Sequence, residues 1–120
     1  MAKHARGING PFPVLQVALD FIEVERAVRL AHEAVAGGAA WIEVGTPLIK
    51  SEGLEAVRKL RAAFPGDVIG ADLKTMDAGR TEFEAAANAG ANIAVVLAAS
   101  SDSTIAQCVE VGHKYGLKTY

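Results

Sequence analysis

The sequence predicts an α/β fold with a parallel sheet, in which the chain supplies about the first four strand–helix units of a (β/α)8 barrel of the TIM type. Two observations support this prediction. Short apolar segments, often β-branched, alternate strictly with longer segments of helical periodicity. A glycine follows each predicted helix, so that one unit takes about 25–30 residues, the size of a strand with its crossover helix. A complete barrel typically has about 250 residues, whereas this chain has 120.

We divide the chain into an N-terminal tail, residues 1–13, and one domain, residues 14–120, interpreted as the N-terminal half of the barrel. A chain of this length with 51% apolar residues can bury one hydrophobic core. The net charge of -2 and the absence of a basic cluster argue against nucleic-acid or membrane-surface binding. No segment approaches the roughly 20 apolar residues of a membrane span. The first residues also lack the apolar core of a signal peptide.

Cysteine and histidine positions give little indication of chemistry. The single Cys108 excludes an internal disulfide and a cysteine-based metal site. It falls in a predicted helix, where we expect it to act as a small packing residue. His4, His32 and His113 fall in the tail or on helical segments and are expected at the surface. Together with the composition, this cysteine usage favours a cytoplasmic protein.

The first unit consists of a strand over residues 14–20 and a helix over residues 24–38. The strand is short, apolar and partly β-branched. The helix places one set of apolar side chains on a single face at helical spacing: Val24, Ala27, Val28, Ala31, Ala34 and Val35. Gly37 and Gly38 follow and are suited to ending it, because glycine adopts the left-handed conformation common after helices.

The second unit consists of a strand over residues 41–46 and a helix over residues 51–66. Ser51 is the predicted N-cap of this helix, and Pro65-Gly66 ends it. Its inward side chains are expected to be Leu54, Val57, Leu60 and Phe64. Thr46 and Lys50 lie with Ser51 after the strand, where a loop or capping role and contact with a substrate both remain open.

The third unit combines a strand over residues 68–74 with a helix over residues 81–90. The fourth combines a strand over residues 92–99 with a helix over residues 102–116. Residues 117–120 resemble the beginning of a fifth strand. We therefore expect an open sheet whose edges are the first and fourth strands, and such edges favour pairing with another chain.

Four charged residues fall together at the strand ends. Side chains alternate along a strand, so the face that carries Ile42 or Ile69 is expected to pack against the helices. The opposite face, which points to the barrel interior, then carries Asp20, Glu43, Asp72 and Lys74. These residues lie at or near the C-terminal ends of neighbouring strands, where barrel enzymes have their active sites. The pattern predicts a functional site there.

Each of these residues has a simpler structural interpretation. Asp72 and Lys74 form only a salt bridge in that interpretation. Glu43 is then a charge facing solvent. Asp20 caps the first helix, and Asp77 caps the third helix.

Three segments resemble a known family: LQVALD, WIEVGTPLIKSEG and ADLKTMDAG. They are similar to the 3-hexulose-6-phosphate synthases, a branch of the orotidine 5′-monophosphate decarboxylase superfamily. The resemblance extends from about Val14 to Gly116, and the pattern Asp72-x-Lys74-x-x-Asp77 is characteristic of the superfamily. It implies a (β/α)8 barrel that works as a homodimer. The implied reaction is a magnesium-dependent aldol addition of formaldehyde to D-ribulose 5-phosphate, or its reverse.

The resemblance also implies a role for each charged residue. Glu43 and Asp72 match the carboxylates that hold Mg²⁺, an ion that prefers oxygen ligands and keeps several waters. Lys74 matches the lysine that stabilises the enediolate oxygen. Asp20 matches an aspartate that contacts substrate hydroxyls. Asp77 matches an aspartate that reaches into the partner subunit's site.

Other parts of the family's site belong to the second half of the barrel. They are a general acid–base histidine, an arginine that contacts substrate, and the phosphate-binding loops. We therefore expect the 120 residues to need a C-terminal half or a second copy, and to be weak or inactive alone. Two alternatives remain open. One is decarboxylation of orotidine 5′-phosphate or 3-keto-L-gulonate 6-phosphate, and the other is a non-catalytic half-barrel that serves as an assembly module.

Overall fold

The fold is a five-stranded parallel sheet in the order β1-β2-β3-β4-β5, with helices in the crossovers. The structure, a computed structural model, describes residues 13–120, so nearly all of the predicted N-terminal tail, including His4, lies outside the described residues. The strands are β1 Gln16–Leu19, β2 Trp41–Val44, β3 Val68–Thr75, β4 Ile93–Val96 and β5 Lys118–Thr119. The helices are α1 Val24–Ala36, α2 Thr46–Glu52, α3 Glu55–Ala63, α4 Gly79–Asn88 and α5 Asp102–Tyr115. This is the parallel partial barrel that the alternation predicts.

The helix predicted over residues 51–66 is in fact two helices. α2 ends at Gly53, which has a φ of 65° that side-chain-bearing residues rarely adopt, and α3 begins at Glu55. The predicted N-cap, Ser51, lies inside α2, whose N-cap residue is Gly45. The Ser51 hydroxyl instead donates to the carbonyl of Ile22 at 2.8 Å, which ties α2 to the loop between β1 and α1.

The C-terminal part of the sheet corrects a second prediction. The predicted fifth strand is present: β5 pairs with β4 through Ile93–Lys118 and Ala94–Thr119. The edges of the described sheet are therefore β1 and β5, and not β1 and β4. α5 ends as predicted at Gly116, which has the left-handed conformation with a φ of 73°.

The main core lies between the sheet and the helices. It contains the strand residues predicted to face outward and the inward faces of the helices, with fully buried members that include Leu19, Ile42, Val44, Leu60, Ile69 and Phe83. Cys108 is also completely buried in this core, and burial raises the pKa of its thiol. The predicted packing role of Cys108 is confirmed. His32 and His113 are exposed, as predicted, and the His32 ring contacts Phe64.

Arg61 holds together the loops at the N-terminal end of the sheet. Its guanidinium donates to the carbonyls of Gly90 at 2.9 Å and Asp67 at 2.9 Å, and also to the side chain of Asn92. The same Asn92 oxygen accepts from the backbone of Ile69 at 2.9 Å. This end of a barrel normally contributes stability and not catalysis, so we assign the network a structural role.

One end of the interior face of the sheet is apolar and largely buried. Trp41, Val68 and Ile93 form a second apolar cluster on this face, with only 3%, 7% and 1% of their surfaces exposed. The Tyr120 ring lies 6.3 Å from that of Trp41. Beside the edge strands β1 and β5, Leu15 is 62% exposed and Tyr120 is 50% exposed.

We expect the chain to self-associate in solution. Among the described residues, β1 and β5 each pair on one side only, and unpaired strand edges favour association. Sedimentation velocity over a dilution series should show a concentration-dependent species larger than a monomer. Leu15→Lys, which places a charge beside β1, should weaken the association, whereas Val109→Lys on the outer helix α5 should not. A single monomeric species with cooperative unfolding at every concentration would contradict the prediction.

Candidate active site

A bulge in β3 shapes the candidate site. Between the pairs Ala71–Ala94 and Thr75–Val96, three residues of β3 lie opposite one residue of β4. Two of the three are Asp72 and Lys74, and Lys74 has a φ of 48°, which is uncommon for a residue with a side chain. Bulges of this kind redirect side chains and often occur near active sites. The bulge therefore sets the directions of both charged side chains.

The bulge is anchored on both sides. Thr75, which is 1% exposed, donates from its hydroxyl to the Glu82 carboxylate of α4 at 2.5 Å. The backbone N–H of Leu97 donates to the carbonyl of Thr75 at 3.0 Å. Pairing between β3 and β4 thus resumes at Thr75, directly after Lys74. This holds the backbone in place on the C-terminal side of Lys74.

Asp72, Lys74 and Thr46 form one connected polar cluster. The Lys74 ammonium donates to Oδ2 of Asp72, and it also donates to Oγ1 of Thr46 at 2.8 Å. Thr46 Oγ1 lies 2.9 Å from Oδ2 of Asp72 and 2.8 Å from the carbonyl oxygen of the same residue. The Thr46 hydroxyl donates its proton to Asp72. The Asp72 side chain is only 11% exposed, whereas that of Lys74 is 50% exposed. A buried carboxylate is thereby paired with an ammonium that reaches solvent.

Glu43 lies beside this cluster at the end of β2. It is paired in register with Ala18 on one side and Gly70 on the other, two residues before Asp72. The pKa of Glu43 is raised, first by burial and then by the negative charges of Asp72 and Asp20. The positive charge of Lys74 and a hydrogen bond from Gln16 at 2.9 Å lower the pKa of Glu43 and offset part of this rise. The Asp72 and Asp20 carboxylates are therefore close enough to affect Glu43 at these strand ends, and the predicted placement on one face agrees with the structure.

Asp20 directly follows β1 and is exposed. It does not cap α1, because the N-cap residue of that helix is Glu23. The Asp20 carboxylate lies against Gly45, where a side-chain carbon would be 2.0 Å from Oδ1 of Asp20 and 2.7 Å from the carbonyl oxygen of Leu19. Only glycine fits there, and its small size brings Asp20 close to the end of β2.

Asp77 is the fifth predicted site residue. It follows β3 in an exposed bend with Met76, and Met76 is 53% exposed. The N-cap residue of α4 is Ala78, and no side chain caps the helix, so Asp77 is not the cap. The structure thus brings together Asp20, Glu43, Asp72 and Lys74 and leaves Asp77 outward.

Sequence reasoning missed Gln16 as a member of the site and left the role of Thr46 open. Gln16 orients Glu43, and Thr46 contacts both Asp72 and Lys74. Gln16 has the same strand parity as Ala18, which lies beside Glu43 in the register, so alternation contained a signal for it. Thr46 begins α2 and is not part of a strand. Its role depends on how α2 packs on β3, which no local pattern indicates.

The donor set of the site fits Mg²⁺. Glu43 and Asp72 supply hard carboxylate oxygens on one face, and this ion often binds through one or two carboxylates together with waters and substrate oxygens. Among residues 13–120, no three His, Cys, Asp or Glu side chains lie close enough to form a fuller metal cluster.

Known proteins are similar to this chain in sequence and fold. The family model described as "Orotidine 5'-phosphate decarboxylase / HUMPS family" matches residues 13–120. The 3-hexulose-6-phosphate synthase of Mycobacterium gastri is 44% identical over 101 residues, which is 84% of this chain and 48% of the relative. The synthase of Bacillus subtilis is 44% identical over 100 residues, which is 83% of this chain and 47% of the relative. The chain therefore spans about half the length of these relatives.

Solved structures agree. A crystal structure of 3-hexulose-6-phosphate synthase has a TM-score of 0.85 at 42% identity, covering 89% of this chain and 51% of the other. The 3-keto-L-gulonate-6-phosphate decarboxylase of Vibrio cholerae has a TM-score of 0.86 at 37% identity, covering 91% of this chain and 50% of the other. The family model matches every residue that the structure describes, which decides the assignment. The chain belongs to the orotidine 5′-phosphate decarboxylase / HUMPS family.

Proposed function

We propose that the chain supplies the metal- and oxyanion-binding half of a sugar-phosphate lyase of the 3-hexulose-6-phosphate synthase type. The observation that carries the proposal is the cluster of Asp72, Lys74 and Glu43 at the strand ends. In the proposed reaction, C1 of D-ribulose 5-phosphate loses a proton and forms a carbon–carbon bond to formaldehyde. The formaldehyde oxygen takes up a proton, so that the product is a hexulose 6-phosphate. The reverse reaction uses the same groups.

Lys74 is the proposed stabiliser of the negative charge that develops on the substrate's enediolate oxygen. Its ammonium is held by Asp72 and Thr46 while the side chain remains half exposed, so a substrate oxygen has access to it. A cation that is already in position lowers the barrier, because no reorganisation is needed as the charge forms. The anchored bulge of β3 supports this role.

Glu43 and Asp72 would hold Mg²⁺ in this proposal. The bound ion would polarise substrate oxygens and lower the energy of negative charge on them. The Glu43 carboxylate is oriented by Gln16, and the Asp72 carboxylate is oriented by Thr46. Both ligands thus have fixed directions before any ion binds.

Asp20 and Asp77 complete the proposal. Asp20, exposed beside Gly45, would bind substrate hydroxyls, and the outward Asp77 would reach the site of a partner subunit in a homodimer. In the described chain, no helix is both long and apolar enough to span a bilayer. A cytoplasmic location for the enzyme is part of the proposal.

Decarboxylation of 3-keto-L-gulonate 6-phosphate is the second candidate function. It is favoured by one observation, the 37% identity and TM-score of 0.86 with the Vibrio cholerae decarboxylase. A decarboxylase forms a similar enediolate, so the same Lys74 would serve it. A non-catalytic role as an assembly module is the third candidate.

The test is to join this chain to the second half of the Mycobacterium gastri synthase, which we call the joined protein. With Mg²⁺, it should consume formaldehyde in the presence of D-ribulose 5-phosphate and release little CO₂ from 3-keto-L-gulonate 6-phosphate. The chimera with the second half of the Vibrio cholerae decarboxylase is the matched control for substrate choice. If the folded joined protein released CO₂ but did not consume formaldehyde, the decarboxylase would replace the synthase. No turnover in either chimera would favour the assembly module.

A further inference from the structure

We infer that Thr46 is a positioning residue that gives the two carboxylate oxygens of Asp72 different roles. Its hydroxyl and the Lys74 ammonium engage Oδ2, and no described residue donates a hydrogen bond to Oδ1. Oδ1 is thereby left for the metal ion. The inference rests on the proposed function, because it concerns how that site is built.

The Thr46 hydroxyl lies between Asp72 and Lys74. Thr46 Oγ1 lies within 2.9 Å of Asp72 Oδ2 and Lys74 Nζ, and within 2.8 Å of the Asp72 carbonyl oxygen. A hydroxyl has one proton to donate and lone pairs to accept with. It therefore donates to Asp72 and accepts from Lys74, which joins the two side chains through a third group.

The Lys74 ammonium needs a second hydrogen-bond acceptor to be held in one position. Lys74 has a long flexible side chain that is half exposed, and side chains of this kind lose much rotamer freedom when they are held in one place. Asp72 alone fixes one end of the ion pair. The Thr46 hydroxyl gives the Lys74 Nζ a second acceptor, so the ammonium is held between Asp72 and Thr46.

Thr46 is itself anchored by the position of α2. It is the first residue of α2, directly after Gly45 and two residues after β2. At the other end of α2, the Glu52 carboxylate accepts from the backbone of Val24 at 3.4 Å, and Ser51 donates to Ile22. α2 is thus fixed at both ends, which gives Thr46 the rigid support that a positioning residue needs.

The test compares Thr46→Val, which removes the hydroxyl while keeping the shape, with Thr46→Ser, which keeps the hydroxyl. Ser51→Ala is the matched control, because it removes a hydroxyl hydrogen bond from the same helix outside the cluster. Mn²⁺ affinity, measured by electron paramagnetic resonance, serves as the metal readout. Loss of outer-shell partners typically lowers metal affinity about 10- to 100-fold. We expect that loss for Thr46→Val only.

Crystal structures of the metal-free variants supply the second readout. In Thr46→Val, the Lys74 ammonium should leave Oδ2 or the Asp72 carboxylate should rotate, and Thr46→Ser should retain the original arrangement. An unchanged Asp72–Lys74 pair in a folded Thr46→Val protein would overturn the inference, as would undiminished Mn²⁺ affinity. If the unmodified protein binds no Mn²⁺ but Thr46→Val still displaces Lys74, the positioning role stands and the metal assignment of the proposed function fails.

Discussion

Replacing Lys74 by methionine is expected to lower the kcat of the joined protein by about 10²- to 10³-fold, which is the usual cost of losing one group that stabilises an oxyanion. Methionine keeps most of the side-chain length and removes the charge. The ammonium of Lys74 is held by Asp72 and Thr46 before substrate binds, so its contribution should appear mainly in the transition state. KM should therefore change much less than kcat.

Two controls separate catalysis from stability. Lys59→Met removes an ion pair in which both side chains are exposed, with Glu25 at 2.9 Å on the outer surface of α3, and should leave kcat unchanged. Lys74→Arg keeps the charge but changes its shape, and we expect partial activity from it. Because Lys74→Met also leaves the Asp72 carboxylate without its cation, thermal unfolding should be measured for each variant. A folded Lys74→Met protein with full kcat would refute the proposed role of Lys74.

The 120-residue chain by itself is expected to show formaldehyde consumption near background with D-ribulose 5-phosphate and Mg²⁺. The described residues supply the candidate metal and oxyanion groups, but the chain spans about half the length of its relatives. Without phosphate-binding loops, the binding energy of the remote phosphate cannot be used to position the reacting carbons. The rate of formaldehyde consumption by the 120-residue chain should be compared with that of the joined protein, at equal molarity and over a range of concentrations.

The concentration series also tests whether association of two copies restores a site. A specific activity that rises with concentration, in parallel with sedimentation, would show that the associated form is the active one. Turnover of about 1 s⁻¹, the low end of ordinary kcat values, from a monomeric 120-residue species would contradict the expectation that a further half is required.

Local sequence determined most of the architecture. The alternation of short apolar strands and amphipathic helices predicts the parallel sheet, because a helix between successive strands returns the chain to the same end of the sheet. The same alternation assigns Ile42 and Ile69 to the helix-facing side and Glu43 and Asp72 to the other side, and the structure agrees. These properties depend on side-chain periods of 2 and 3.6 residues, which can be read along the chain.

The tertiary structure decided the finer points of the site. Simple alternation extends through Lys74, but the bulge opposite Val95 interrupts it, and this depends on the register between β3 and β4. The division of a predicted helix at Gly53 and the contact of Thr46 with Asp72 depend on how α2 packs. Trp41 is buried on the interior face by residues distant in sequence. Such features follow from long-range packing, in which the partners of a residue are set by the fold and not by its neighbours in the chain.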